Sequence, residues 1–161
     1  MKPLAITQGD PAGIGPEIVA KAFRDAPADL VGCFVVGDVA TLRRAAQAIV
    51  RPGVPMVPVA QIAAPADVLD VPPRCVPVLQ LPGIPGPQPW GQIGAAAGRA
   101  AADSVVWAAR AALRGEVAGL VTGPLLAVWA DGFQYRRTPI ALLGLAMSLG
   151  YGGAGLVQGF A

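Results

Sequence analysis

The sequence alternates short apolar runs with segments of helical period, and turns rich in Gly and Pro separate them. One apolar run is Leu4–Thr7 and the next covers residues 31–36. A run that is apolar throughout suits a strand buried on both faces of a parallel sheet, because a strand with one wet face alternates instead. Alternation of strands and helices is typical of an α/β domain. We therefore predict an α/β fold with a largely parallel sheet.

Three helices are predicted between the apolar runs, over residues 16–25, 39–50 and 94–115. A further buried strand is predicted over residues 116–122. Apolar residues that recur every three or four positions mark the face of a helix that packs on the core. The residues expected on the three buried faces are Ile18, Val19, Ala22 and Phe23, then Leu42, Ala45, Ala46 and Ile49, then Val105, Val106, Ala109 and Leu113.

Residues 51–92 differ from the rest because eleven of the 17 prolines lie there. Short valine pairs such as Val57 with Val59 and Val76 with Val78 alternate with these prolines. Proline cannot donate a hydrogen bond to a neighbouring strand. The pattern therefore predicts edge strands and extended loops here, and no central strand.

Composition excludes several classes of protein. The chain has 161 residues, of which 54% are hydrophobic and 14% charged, which is too apolar for a disordered chain. The formal net charge is +2 without a basic cluster, so nucleic acid is not expected as a partner. The sequence contains no His, which excludes imidazole bases and His-ligated metal sites within this chain.

The two cysteines and the start of the chain bear on location. Cys33 and Cys75 lie far apart without the spacing of a metal or redox motif, so we expect reduced thiols. The first residues lack the long apolar run of a secretory signal. Both observations favour a cytoplasmic protein.

A glycine-rich loop follows the first predicted strand and carries the candidate site residues Gly9, Asp10, Gly13, Gly15 and Glu17. Glycines let backbone N–H groups approach a ligand, and the start of the next helix favours an anion. The two carboxylates could orient a polar ligand or a partner loop. Alternatively, the segment is a tight turn in which Asp10 caps the helix and no ligand binds. The glycine spacing is not that of the dinucleotide fingerprint.

Thr122 and Gly123 are a second candidate pair, at the end of the last predicted strand. Ligands of α/β sheets bind outside the carboxyl ends of the strands, where Thr122 could donate a hydrogen bond. The alternative is an ordinary turn at a strand end.

Three segments together resemble the 4-hydroxythreonine-4-phosphate dehydrogenase family of pyridoxal phosphate (vitamin B6) biosynthesis. They are Ile-Thr-Gln-Gly-Asp-Pro-Ala-Gly-Ile-Gly-Pro-Glu-Ile at 6–18, Val-Val-Gly-Asp at 35–38 and Gly-Leu-Val-Thr-Gly-Pro-Leu at 119–125. The shorter Gly-Ile-Gly-Pro-Glu core is also found in isopropylmalate and isocitrate dehydrogenases. The resemblance therefore implies a partial isocitrate/isopropylmalate dehydrogenase-like fold.

The same resemblance implies an activity for the full-length family. Its members oxidise and decarboxylate 4-phosphooxy-L-threonine with NAD or NADP and a divalent cation (Zn, Mg or Co), as cytoplasmic homodimers. Family chains are about twice as long as this one. Three metal-binding His residues of the family are absent here, and Ala127 stands where the family usually has Lys. We therefore expect no catalytic or metal-ligating residue in this chain, no bound cofactor, and little activity.

Other functions remain open at this point. The chain could be a non-catalytic module that binds an anion or pairs with a second copy. It could also derive from a related dehydrogenase of phosphorylated threonate or erythronate. Residues 138–161 are uncharged and would allow a membrane-tethered fragment, although no membrane partner is expected because flanking anchors are absent.

The sequence changes character near residue 135. Residues 1–135 read as the first part of the dehydrogenase-like fold, whereas residues 136–161 hold no charge after Arg137 and follow no clear period. Read two bases later, from the last base of the Tyr135 codon through the codon of residue 140, the bases can spell Pro-Ala-His-Thr-Asp, close to a segment of the family that grips substrate. We therefore hypothesise that residues 136–161 are translated out of frame.

Overall fold

The structure, a computed structural model, describes residues 2–84 and 86–122, which lie within the unit Met1–Leu125. The expectations for Gly123, Ala127 and the tail from residue 136 fall outside these described residues. Within the described ranges, no helix combines the length and the apolar character needed to cross a membrane.

Five strands form one sheet in the order β3-β4-β2-β1-β5, and their four pairings are all parallel. The predicted α/β class with a parallel sheet is therefore confirmed. The strands are β1 (Leu4–Thr7), β2 (Cys33–Gly37), β3 (Val59–Ile62), β4 (Val76–Gln80) and β5 (Gly119–Thr122). The helices are α1 (Gly15–Asp25), α2 (Val39–Ala48) and α3 (Ala95–Leu113), with a short 3-10 helix at Pro65–Asp70.

Each face of the sheet buries its own apolar cluster. The α1 and α2 side holds Val35, Val76 and Val78 with Phe23 and Leu42. The α3 side holds a second set, namely Ala5, Phe34, Val36, Ile62, Val68, Leu79, Leu81, Ala108, Ala111 and Val117. All five residues of β2 are buried, as expected for a strand covered on both faces.

The position of β4 corrects the expectation for the proline-rich segment. β3 is an edge strand, as predicted, but β4 lies between β3 and β2. The N–H of Val76 donates to Pro58 on the β3 side, so the next nitrogen, that of Pro77, faces β2. The β2–β4 pairing begins only at Val35 with Val78. The position where Pro77 lacks an N–H therefore lies before the first residue pair between β2 and β4. This is why a strand inside the sheet tolerates this proline.

The predicted buried faces of two helices are partly wrong. In α3, Val106 is 46% exposed and Leu113 84% exposed, and in α1 Ile18 is 50% exposed. The buried face of α3 instead consists of small residues, Ala97, Ala100, Ala101, Ser104, Ala108 and Ala111. Small side chains let α3 approach the sheet closely, and the large Phe34 of β2 fills the space between them. The predicted face of α2 is confirmed, because Leu42, Ala45 and Ala46 are buried and Ile49 packs against them.

Gly37, at the end of β2, lies against the side chain of Gln8. A Cβ built on Gly37 would overlap the Gln8 amide, whereas a Cβ on Gly98 of α3 meets open space. We expect Gly37→Ala to lower the free energy of unfolding by about 1–3 kcal/mol, because Gln8 is wholly buried and must shift. Gly98→Ala is the matched control and should raise stability by about 0.5–1 kcal/mol. Urea unfolding of both variants tests this, and equal stability of Gly37→Ala and the parent chain would contradict it.

Candidate functional site

Polar side chains collect at the edge of the sheet where the parallel strands end. Gln8 follows β1, Asp38 follows β2, Gln80 ends β4 and Thr122 ends β5. Because the strands are parallel, these ends meet at one edge, which is the usual ligand-binding edge of an α/β sheet. The glycine-rich loop at residues 9–17 starts at the same edge. The topology thus brings both predicted candidate segments together.

A buried hydrogen-bond network joins three strand ends to the start of α2. The N–H of Asp38 donates to Gln8 Oε1 at 2.8 Å, and Gln80 Nε2 donates to Asp38 Oδ1 at 3.2 Å. Asp38 Oδ2 accepts from both the N–H and the hydroxyl of Thr41 at 2.7 Å, which caps α2. The N–H of Val39 donates to Gln80 Oε1. Shared partners hold these residues in one arrangement.

The loop at residues 9–17 closes on itself through Asp10. Asp10 Oδ1 accepts a hydrogen bond from the N–H of Ala12 at 2.8 Å, and Gly9 has a φ of 74°, which favours glycine. The N-cap residue of α1, just before Gly15, is Ile14, whose side chain contributes no capping hydrogen bond. The expectation that Asp10 caps this helix is therefore wrong, since its carboxylate instead closes a turn inside the loop.

Glu17, in the first turn of α1, contacts a distant segment of the same chain, residues 86–91, which we call the strap. Trp90 Nε1 donates to Glu17 Oε1 at 2.9 Å. The guanidinium carbon of Arg44 lies 4.7 Å from the centroid of the Trp90 ring, a cation–π contact. Arg44 also donates to the carbonyls of Pro11 and Gln88. One oxygen of the Glu17 carboxylate thus contacts the strap of the same chain.

Three buried side-chain atoms around this loop have no hydrogen-bond partner in the described part of the chain. They are Gln8 Nε2, Glu17 Oε2 and Arg44 Nε. A buried polar atom without a partner costs about 1–3 kcal/mol, so each such atom in a native protein asks for an explanation. Two donors and one acceptor around one glycine-rich loop are suited to a ligand that carries anionic oxygens and a hydroxyl or ammonium group.

The described residues do not form a metal site. Across residues 2–84 and 86–122, no three Cys, Asp or Glu side chains come close enough together to hold a metal ion. Hard divalent cations need several oxygen ligands, and Zn²⁺ needs four donors of suitable type. The divalent cation implied by the resemblance therefore does not fit this part of the chain.

The predicted site residues separate into those that the structure places and those that it does not describe. Gly9, Gly15 and the half-buried Gly13 form the loop, and Thr122 pairs in register with Thr7 beside it. Gly123 lies outside the described residues. Sequence reasoning missed Gln8, although its position directly after a buried strand could have marked it. It also missed Arg44 and Trp90, which no local pattern connects to the loop.

We expect Arg44→Gln to release the strap. The change removes the two carbonyl contacts of the guanidinium and its stacking on Trp90, together worth about 1–2 kcal/mol. The N–H of Gly91, which donates to Ala12 at 2.8 Å, should then exchange about tenfold faster with deuterated water. Arg43→Gln, on the exposed side of the same helix, is the matched control. Equal exchange of Gly91 in both variants would contradict the role assigned to Arg44.

The sequence of this chain matches a protein-family model. The family model described as pyridoxal phosphate biosynthetic protein PdxA matches residues 29–139. The match covers more than half of the chain and includes β2, α2, β3, β4, α3 and β5.

Curated relatives and solved structures agree with this match. The 4-hydroxythreonine-4-phosphate dehydrogenase of Caulobacter vibrioides is 33% identical over 136 residues, which are 83% of this chain and 38% of that protein. The D-threonate 4-phosphate dehydrogenase of Bordetella bronchiseptica is 39% identical over 124 residues, 76% of this chain and 34% of that protein. The crystal structure of 4-hydroxythreonine-4-phosphate dehydrogenase from Klebsiella pneumoniae superimposes with a TM-score of 0.66 and 34% identity, covering 84% of this chain and 41% of that one. The chain thus spans about two fifths of the length of the relatives that it matches.

Proposed function

The chain belongs to the family of the pyridoxal phosphate biosynthetic protein PdxA, and on this premise we propose that it carries the first part of a dehydrogenase of a small phosphorylated hydroxy-amino acid. The proposed substrate is 4-phosphooxy-L-threonine, the proposed cofactor NAD or NADP, and the proposed setting a cytoplasmic homodimer. The names of the relatives and their identity over most of this chain support the proposal.

The loop at residues 9–17 and the end of β5 are this chain's contribution to the substrate site. The proposed site residues are Gly9, Asp10, Gly13, Gly15, Glu17, Thr122 and Gly123. The observation that carries the proposal is the set of three unpartnered buried atoms, on Gln8, Glu17 and Arg44, around this loop. They add Gln8 and Arg44 to the residues that the sequence suggested.

The chemistry of the three atoms matches the proposed class of substrate. Gln8 Nε2 and the Arg44 Nε can donate to oxygens of a phosphate ester or a carboxylate. Glu17 Oε2 can accept from an ammonium or hydroxyl group. These residues bind and orient the substrate, and the strap limits access of water to the loop. The nicotinamide, when bound, accepts the hydride from the secondary alcohol.

The 161-residue chain is proposed to be inactive by itself. Oxidation in the family is assisted by a divalent cation, and the described residues offer no ligand set for one. A Lewis acid would supply several kcal/mol of stabilisation to a developing alkoxide, and the described residues offer no group that replaces it.

A related dehydrogenase is the second candidate. Two of the relatives, from Salmonella typhimurium and Bordetella bronchiseptica, are D-threonate 4-phosphate dehydrogenases that are 35% and 39% identical to this chain. Both candidate substrates carry a phosphate ester and a secondary alcohol, so the same loop suits either. A non-catalytic role in anion binding or in pairing with a second copy uses the same loop without turnover.

We expect Gln8→Glu to weaken binding of the phosphorylated substrate by at least about tenfold. The variant keeps the oxygen that accepts from Asp38 but replaces the unpartnered donor with a group that repels an anion. Titration calorimetry with 4-phosphooxy-L-threonine, D-threonate 4-phosphate and inorganic phosphate gives the affinities and ranks the two candidate substrates.

The matched control for this experiment is Gln61→Glu, the same change at an exposed position of the edge strand β3. It should leave binding unchanged. Equal affinity of the parent chain and Gln8→Glu, or no heat from the parent chain with any of the three ligands at millimolar concentration, would contradict the proposed site.

We also expect no formation of NADH or NADPH by the purified 161-residue chain with 4-phosphooxy-L-threonine and Zn²⁺, Mg²⁺ or Co²⁺. The physical reason is that residues 2–84 and 86–122 offer no ligand set for the cation. Absorbance at the reduced-nicotinamide band measures the reaction. Metal-dependent turnover that survives repeated purification and disappears with a chelator would show that the chain is active by itself.

A further inference from the structure

A cavity of about 430 Å³ lies at the amino ends of the strands, at the opposite edge of the sheet from the loop at residues 9–17. Cys33, which begins β2, and Cys75, which precedes β4, both line it. The segment before β2 and the segment between the 3-10 helix and β4 supply most of the remaining wall. Its volume falls within the range of small-molecule sites.

The side chains that line this cavity are apolar apart from two thiols and one cation. Phe23, Leu30 and Val68 contribute large apolar side chains, and four prolines contribute ring surface. Arg74 is the single charged residue among those that line it. Arg74 is exposed and forms no ion pair with any described residue.

The backbone at Arg74 is held in an unusual conformation. Its φ of 65° lies in the left-handed region, and no other described residue except glycine has a positive φ. Residues with side chains adopt this region at a cost, and such strained positions concentrate at sites that bind ligands. Arg74 lies between Pro73 and Cys75 in the sequence, and all three residues line the cavity.

We propose that this cavity binds a small amphipathic anion, with an apolar body among the apolar walls and a carboxylate against Arg74. The large apolar side chains of Val31 and Leu69, which are 66% and 62% exposed, extend the apolar surface at its rim. No acidic side chain lines the cavity to repel an anion. The site shares no residue with the proposed substrate site, so either can fail without the other.

The labelling rate of the two thiols in the cavity wall measures whether a ligand occupies the cavity. Cys33 and Cys75 are the only cysteines of the chain, so a thiol-reactive reagent reports on this cavity alone. Burial raises the pKa of both thiols, so both remain neutral at pH 7 and react slowly. We would use the uncharged reagent dithiodipyridine, because a charged reagent would itself be attracted or repelled by Arg74.

The experiment compares three probes on the 161-residue chain. Octanoate has both an apolar body and a carboxylate, octanol has only the body, and acetate has only the carboxylate. We expect octanoate to slow thiol labelling at about threefold lower concentration than octanol, the gain typical of an exposed ion pair, and acetate to have no effect. Equal protection by octanoate and octanol, or no protection by octanoate, would overturn the proposal.

Variants of Arg74 test whether its charge causes the preference for octanoate over octanol. Arg74→Asn removes the charge and tolerates a left-handed φ, so octanoate should lose its advantage over octanol. Arg74→Lys keeps the charge and should retain most of that advantage. Arg99→Gln, on the exposed side of α3, is the control for a general change in net charge. If a folded Arg74→Asn variant kept the preference for octanoate over octanol, the role assigned to Arg74 would be wrong. If that variant does not fold, the comparison of the three probes on the parent chain still tests the proposal.

Discussion

The hydrogen bond from the N–H of Asp38 to Gln8 Oε1 is the interaction on which the arrangement of the carboxyl edge depends. It forms only because Gly37 has no side chain where the Gln8 amide lies. The bond ties the end of β1 to the residue just before α2, and Asp38 in turn caps that helix through Thr41. The loop at residues 9–17 starts from this fixed point. Its position relative to β2 therefore follows from the pairing of β1 with β2 together with one glycine and one buried amide.

The two faces of the sheet reach their packing in different ways. On one side, α1 and α2 bring large apolar residues such as Phe23 and Leu42 to the valines of the strands. On the other side, α3 presents alanines to the sheet, and Phe34 of β2 supplies the volume. The Phe34 ring packs edge to face against Trp107, with 6.2 Å between the ring centroids. Both solutions fill the space between helix and sheet, because packing depends on the sum of the volumes rather than on which element supplies them.

That difference explains how far the sequence could predict the fold. β1 was predicted with its observed bounds, because a short apolar run between Pro3 and Gly9 fits a buried strand. The inner face of α3 was predicted wrongly because a helical period identifies apolar positions but cannot say whether Val106 or Ala108 meets the sheet. The interior position of β4 was missed because the effect of Pro77 depends on which neighbour its nitrogen faces.

The candidate site was predictable only where its residues are local. The glycines and carboxylates of the loop lie within nine consecutive positions, and their spacing is visible in the sequence. The contact between Trp90 and Glu17 joins residues 73 positions apart, and no periodic pattern connects them. That Gln8 keeps an unpartnered donor is a property of its tertiary surroundings. The glycines and carboxylates of the loop could be predicted from the sequence. Which buried polar atoms lack a hydrogen-bond partner could not.

The unpartnered atoms also bear on stability. Three such atoms at about 1–3 kcal/mol each amount to a large part of the 5–15 kcal/mol that stabilises a typical domain. Since Gln8, Glu17 and Arg44 surround one loop, a single ligand that satisfies all three would recover this free energy on binding. Any group that binds only the folded state raises its stability in proportion to its affinity. A ligand held by these side chains would therefore couple binding at the carboxyl edge to folding of the β1–α1 and β2–α2 segments.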